Sequence, residues 1–288
     1  MENFSYNDSE LETHDGLKLH IRKWDQPGRT AKADIAFVHG FFEHSGRYAA
    51  EANFFNKSGY NFLTYDQRSH GLSEGKYRSY VGSFQNYERD YAMFLKEQKL
   101  GEDRPYFLFA HSMGGLVQCT HLIQNNTMPS GFKGAIFSAP LLSPDPNTSP
   151  LLQKIARLVG TLLPQLKVVS INHTAVSRDQ KEIEKYLSDP LNYTEKMYAA
   201  SGYNLLKQMK YVQTKLAAVK HPFLVLHGTD DKLSDIKGSK LLYKLASSED
   251  KEIVILQDFK HEITKDLDHQ EVLDKILSWI ELRLNKKA

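Results

Sequence analysis

Tyr106-Phe107-Leu108-Phe109-Ala110-His111-Ser112-Met113-Gly114-Gly115-Leu116-Val117 is the stretch that decides the fold. Tyr106–Phe109 is apolar on consecutive positions, as a strand covered on both faces should be. Leu116–Gln124 reads as a helix, and the residues between are small enough for a tight turn. Strand, tight turn and helix with a serine at the apex is the context of a nucleophile elbow. That turn is strained, so the residues two before and two after the serine must be small. Gly114 meets the need, and Ala110, with a single methyl, stands where glycine is usual. The helix N-terminus adds partial positive charge where an oxyanion would form. The plainer reading of Ser112 is an N-cap on an ordinary strand–helix turn.

The same alternation extends outward on both sides. Ile35–Val38, Asn61–Tyr65, Gly134–Phe137, Phe223–Leu226 and Ile253–Leu256 have strand length and are rich in β-branched or aromatic residues. Helix-length stretches separate several of them: Arg47–Lys57, Ser83–Gln98 and Gly114–Gln124. This pattern predicts an α/β fold with a mostly parallel, doubly wound sheet. Glu10–Thr13 and Leu17–Trp24, joined around Asp15-Gly16, read as a hairpin.

Between about 142 and 207 the alternation stops. Pro144, Pro146 and Pro150 open this stretch. Ser149 suits an N-cap and Pro150 the first helical position. Leu151, Leu152, Ile155, Leu158, Val159, Leu162 and Leu163 then recur at helical period until Pro164. Lys154 and Arg157 lie on the polar side of that stripe. A second helix is expected over Ser177–Leu187, closed by Ser188-Asp189-Pro190. The expected organisation is a core of residues 1–141 and 208–288, with 142–207 inserted as a helical cap.

A chain of 288 residues, 41% hydrophobic and 25% charged, fits one large globular domain with an insertion. The net charge of +2 leaves no footprint for nucleic acid. A single cysteine, Cys119, excludes an intrachain disulfide and reads as a small core residue. Met1-Glu2-Asn3 is not the start of a signal peptide, and no run of apolar residues is long enough to span a bilayer. A cytoplasmic location is expected, with any membrane or lipid-droplet contact peripheral. No phosphate-binding glycine loop is present, and His14, His20, His173 and His269 lack partners at metal-ligand spacing. Neither cofactor nor metal is expected.

A nucleophilic serine needs a base, and the base needs an orienting acid. With an elbow of this kind the chain order is serine, acid, histidine. Phe223–Leu226 runs into His227-Gly228-Thr229-Asp230-Asp231, and Ile253–Leu256 into Gln257-Asp258-Phe259-Lys260-His261. Both stretches lie at C-terminal ends of expected parallel strands, the edge where such sheets place their sites. The candidates are Ser112, one aspartate of the 230/231 pair, and His261. His39 and His70 read as structural.

Six segments carry a resemblance across nearly the whole chain: His39-Gly40-Phe41-Phe42-Glu43-His44-Ser45-Gly46-Arg47-Tyr48, Asp66-Gln67-Arg68-Ser69-His70-Gly71-Leu72-Ser73, the turn at Ser112, Ser188-Asp189-Pro190, Gly228-Thr229-Asp230-Asp231, and His261. In these the chain resembles the monoacylglycerol lipases and related lysophospholipase-like esterases, serine hydrolases of the α/β-hydrolase fold. The resemblance implies that Asp231 is the acid, with Asp230 as the alternative. It implies an oxyanion hole from the N–H groups of Phe41 and Met113. It places Glu43 and Arg47 near the polar headgroup end of a pocket, where Tyr186 of the cap reaches the glycerol. The bland reading of Glu43 and Arg47 is an ion pair that holds the loop.

The implied activity is hydrolysis of a long-chain acyl ester, monoacylglycerol above all. A lysophospholipase, a general carboxylesterase or an acyltransferase would use the same residues, and a non-catalytic ligand-binding protein is the rival outside enzymes. Three departures stand out. Ser234 replaces a cysteine three after the acid, Thr264 replaces a histidine three after His261, and Phe41-Phe42 replaces smaller residues. The first two are expected to bear on headgroup preference and not on the triad, and the two rings to narrow the pocket. The stripe over Leu151–Leu163 is expected partly to cover the pocket and partly to meet a lipid surface.

Overall fold

The structure is a computed structural model and describes residues 5–26, 30–144 and 150–285, without the side chains of 150–154. The N-cap reading of Ser149, Pro146 and both chain ends lie outside the described residues, as do the side chains of Leu151, Leu152 and Lys154.

In chain order the elements are β1 (Asn7–Glu12), β2 (Lys18–Trp24), β3 (Asp34–Val38), α1 (Ala49–Lys57), β4 (Asn61–Tyr65), α2 (Phe84–Glu97), β5 (Tyr106–His111), α3 (Met113–Gln124) and β6 (Phe132–Ser138). There follow α4 (Pro150–Leu162), β7 (Lys167–Val169), α5 (Gln180–Ser188), β8 (Met197–Tyr198), α6 (Ala199–Gln213), β9 (Phe223–Gly228), α7 (Ile236–Leu245), β10 (Lys251–Leu256) and α8 (His269–Asn285). The main sheet runs β1-β2-β4-β3-β5-β6-β9-β10. β1 pairs antiparallel with β2 and β2 with β4, while every pair from β4 through β10 is parallel. The order reverses between β3 and β5, which opens a crevice at their C-terminal ends.

Period-two alternation sends neighbouring residues to opposite faces. Ala36, Val38, Leu108 and Ala110 pack with α2 and α3 residues such as Tyr91 and Leu116, and Cys119 is buried there. Ile35, Phe37, Phe107 and Phe109 pack instead with Phe55 of α1 and Trp279 of α8. Burial on both faces is why these strands read as unbroken apolar runs.

Among the described residues between β6 and β9 none joins the main sheet; β7 and β8 form their own antiparallel ribbon. The expected boundary at 207/208 falls inside α6, which runs unbroken to Gln213. Leu205, Met209 and Val212 are all buried along it, so its apolar contacts continue across that point. The helix expected from Ser177 starts instead at Gln180, with the Asp179 side chain accepting from the Lys181 N–H at 2.9 Å. Residues 177 and 178 are drawn elsewhere: the Arg178 N–H donates to Asp266 at 2.7 Å. Among the described residues, no helix is long and apolar enough to cross a membrane.

Candidate active site

Ser112 sits between β5 and α3 with φ 51° and ψ −118°, a conformation that non-glycine residues rarely adopt. Its N–H donates to the Ser138 carbonyl at 3.0 Å, and its own carbonyl accepts from Leu141 at 2.9 Å. These bonds hold the strained residue in place. Crowding fixes the glycine that follows: a Cβ on Gly114 would lie 2.3 Å from the Val38 carbonyl oxygen.

The turn lifts the Ser112 hydroxyl toward the loops that follow β9 and β10. Ser112 Oγ lies 2.8 Å from His261 Nε2, and His261 Nδ1 lies 2.7 Å from Asp231 Oδ2. With Nδ1 facing a carboxylate, that nitrogen carries the hydrogen and Nε2 is free to accept. Asp231 Oδ1 accepts from the N–H groups of Leu233 and Ser234 at 2.8 and 3.0 Å. Oδ2 also accepts from Ser234 Oγ at 2.8 Å, and His227 Nε2 is 3.1 Å away. Burial alone would raise the Asp231 pKa, but the His261 and His227 imidazoles overcome it and hold the carboxyl well below its ordinary value. Burial likewise opposes a charged His261, yet the Asp231 carboxylate raises its pKa above that of a free imidazole. Asp230 faces the other way, 2.8 Å from Lys232 Nζ and half-exposed.

Ser234 therefore corrects one expectation. It was expected to leave the triad untouched, yet its hydroxyl bonds Asp231 directly. Thr264 donates to Glu51 Oε1 at 2.8 Å, in a buried contact that Lys265 shares. His227 carried no role in the sequence reading. It closes β9 fully buried, with Nδ1 2.7 Å from Ser239 Oγ, so Ser239 donates and Nε2–H points at Asp231. Nothing in its sequence position distinguishes it from a strand-end residue.

The chain leaving β3 passes close to Ser112. A Cβ on Gly40 would lie 3.0 Å from Ser112 Cβ and 2.7 Å from Glu43 Oε1. Phe41 follows Gly40. Met113 is the first residue of α3, so its N–H is among those a helix leaves unsatisfied. Phe42 has φ 67° and stacks on Phe41 with ring centroids 3.9 Å apart.

Glu43 and Arg47 form a buried network. Glu43 Oε1 accepts from the Gly40 N–H at 2.5 Å and from the Tyr48 hydroxyl at 2.9 Å. Arg47 donates to Glu43 Oε2 at 2.6 Å and, through two nitrogens, to both oxygens of Glu262 at 2.7 and 2.8 Å. Tyr186 packs its ring 4.5 Å from the Arg47 guanidinium and donates its hydroxyl to the Phe42 carbonyl at 3.1 Å. Glu262 entered through none of the sequence motifs, although it follows His261 directly. His39 lies apart from Ser112, accepting at Nε2 from the Gln67 N–H at 3.0 Å, and burial pushes its pKa down to about 4. His111 is likewise held down to about 4 by burial, with Nδ1 against the Ser138 carbonyl at 3.1 Å.

Ser112, His261, Glu43, Glu262 and Tyr186 open on one cavity of about 620 Å³. Much of its lining is apolar, with Ile155 and Val159 from α4, Val168 from β7, Met197 from β8, and Leu205 and Met209 from α6. A hydroxyl aligned on an imidazole nitrogen, beside N–H groups and a largely apolar cavity, is equipped for acyl transfer.

Fold and site define the class: an α/β-hydrolase, and within it a serine hydrolase that cleaves carboxylic esters. The family described as serine aminopeptidase, S33, matches residues 29–268. The monoglyceride lipase of Rattus norvegicus is 32% identical over 288 residues, covering 98% of this chain and 93% of that protein. The chain belongs to the monoglyceride lipase family of α/β-hydrolases. The crystal structure of Paleococcus ferrophilus monoacylglycerol lipase superposes with a TM-score of 0.79 at 27% identity, over 91% of this chain and 97% of that one. A soluble variant of Saccharomyces cerevisiae monoglyceride lipase shares the fold, with a TM-score of 0.82 at 22% identity over 100% of this chain and 98% of that one.

Proposed function

We propose that this protein hydrolyses monoacylglycerol to fatty acid and glycerol through an acyl-enzyme on Ser112. The observation that carries the reading is the hydrogen-bonded chain Ser112–His261–Asp231 opening on a cavity lined by both polar and apolar residues. Ser112 attacks the ester carbonyl while His261 accepts its proton. The N–H groups of Phe41 and Met113 hold the oxyanion, each worth roughly 3 kcal/mol in such sites. His261 then passes the proton to the leaving alcohol, and Asp231 orients the ring and stabilises the imidazolium. A water activated by His261 releases the fatty acid. No step requires a cofactor. Glu43 and Arg47 brace the oxyanion loop, and the acyl chain lies along the apolar lining. The relatives at about 32% identity are monoglyceride lipases, which favours this alcohol over others.

Residues 142–207 act in this reading as the cap, with α6 shared between cap and core. Ile155 and Val159 of α4 line the cavity, Ile155 at its half-exposed edge, while Leu158, Leu162 and Leu163 are exposed and do not line it. The exposed apolar positions rest on a membrane or lipid-droplet surface from the cytoplasmic side, and the inner ones receive the acyl chain.

A substrate panel tests the proposal: monoacylglycerols of varied chain length, lysophospholipids, short p-nitrophenyl esters and amides. Monoacylglycerol turnover that Ser112→Ala abolishes, together with fluorophosphonate labelling, is the expected result. Turnover of short esters alone would sink the lipase reading, and labelling that persists in Ser112→Ala would sink the nucleophile.

A further inference from the structure

The polar end of the cavity carries a charge that bond cleavage itself does not use. Glu43 and Glu262 both line the cavity and are almost fully buried. One guanidinium, Arg47, serves the two of them. The next buried pair, Glu51 with Lys265, is neutral by itself. Lys232 also lines the cavity but lies exposed and is paired with Asp230. Among the described residues, two carboxylates against one buried cation leave one negative charge without an ion-pair partner of its own.

Position says which part of a substrate meets this charge. The base that protonates the leaving oxygen is His261 in the reading above, so the alcohol departs on the His261 side. Glu262 is the next residue in the chain. Each of its oxygens takes one bond from Arg47, whereas a carboxylate oxygen can accept two. Acceptor capacity therefore remains on a residue that lines the cavity. An O–H donating to an ionised acceptor makes a stronger bond than a neutral pair. A phosphate brought to the same place meets like charge in a site poorly screened by water, where repulsion far exceeds its value in bulk solvent.

We propose that Glu262 is a specificity-determining residue: it makes the alcohol end of the cavity acidic, selecting acyl esters of neutral polyhydroxy alcohols and rejecting those whose alcohol carries a phosphate. The proposal rests on the monoacylglycerol reading and deepens it. It also separates that reading from its lysophospholipase rival, because the two substrates share the scissile ester and differ only in the phosphate.

The test compares kcat/KM for 1-oleoylglycerol and 1-oleoyl lysophosphatidic acid, both presented in the same neutral detergent micelles. The wild-type protein is expected to favour the glycerol ester by about a hundredfold or more, and Glu262→Gln to reduce that ratio by about tenfold. Glu262→Asp keeps the charge and should keep the ratio within about threefold of wild type. Glu262 also braces Arg47, so the ratio is read and not the rate. Glu262→Met removes the charge by a second route should the glutamine variant fail to fold. A ratio unchanged in the charge-removing variants overturns the proposal, as does an equal loss on both substrates. Wild-type protein that cleaves lysophosphatidic acid and not the glycerol ester would instead overturn the monoacylglycerol reading itself.

Discussion

Replacing Arg47 with methionine tests whether one guanidinium ties two loops of the site together. The Arg47 side chain is 7% exposed and donates to Glu43 at 2.6 Å and to Glu262 at 2.7 and 2.8 Å. Methionine fills similar volume but strands two buried carboxylates. Breaking a buried pair by removing one partner costs roughly 3–5 kcal/mol. For a chain of this size that corresponds to a fall in melting temperature of roughly 5–8 °C. The pH dependence gives the sharper signature. Burial pushes the Glu262 pKa up, but Arg47 overcomes it and holds the carboxyl below its ordinary 4.5. In the wild-type protein this group therefore contributes stability above about pH 4.5 that is lost as the pH falls. Without Arg47, burial and the neighbouring Glu43 push the same carboxyl above its ordinary value. Its penalty is then largest at neutral pH and is relieved by protonation. The gap in melting temperature should be wide at pH 8 and narrow toward pH 5, measured by differential scanning fluorimetry. A gap that is constant or widens on acidification would refute the reasoning, as would a loss below about 2 °C at pH 8.

Asp231→Asn should lower kcat by on the order of 10⁴-fold, because an amide favours the wrong imidazole tautomer. Asp230→Asn, which only loosens a surface pair with Lys232, should change kcat little; the reverse ranking in steady-state assays would reassign the acid. The rate should fall on acidification as His261 takes up a proton, with an apparent pKa above 6.5 because Asp231 raises it, so a kcat/KM profile flat down to pH 5 would contradict the role of base. His39 and His111, held to about 4, should add no limb between pH 5 and 8. Leu158→Glu combined with Leu162→Glu should depress activity on vesicle-borne monoacylglycerol and, since both leucines are more than 60% exposed, spare folding and a short soluble ester; equal loss on both substrates would instead point to a folding defect and against the surface role.

The sheet was legible because parallel strands buried on both faces must be apolar at successive positions, as Phe107, Leu108 and Phe109 are. α6 was harder to read for a related reason. It packs on α2, α3, α4 and α7, so beside the stripe of Leu205, Met209 and Val212 it also buries Ala199 and Ala200, which lie off that face. At the site, residue order brought Ser112, the 230/231 pair and His261 into view, since strand ends in such a sheet must converge on one edge. The choice between two adjacent aspartates could not come from order alone; it depends on a turn that sends one to His261 and the other to Lys232.

The supporting residues were silent because their meaning is entirely tertiary. Glu262 acquires its role from an arginine 215 positions away, and His227 from a carboxylate that the loop after β9 folds back over it. These contacts share a logic. The Glu262 N–H donates to the Val176 carbonyl at 2.7 Å, the Tyr186 hydroxyl to the Phe42 carbonyl, and His44 meets Asp189 at 2.9 Å. The segment around α5 is thus bonded to both the loop after β3 and the loop after β10, while α4 presents exposed leucines on its outer side. Hydrogen bonds fix relative position far more tightly than apolar contact, which tolerates sliding. Under the proposed function the two halves of the segment 142–207 would serve different tasks: the α5 half would hold the alcohol end to the geometry that bond cleavage needs, and the α4 half would adapt to acyl chains and to the surface that delivers them.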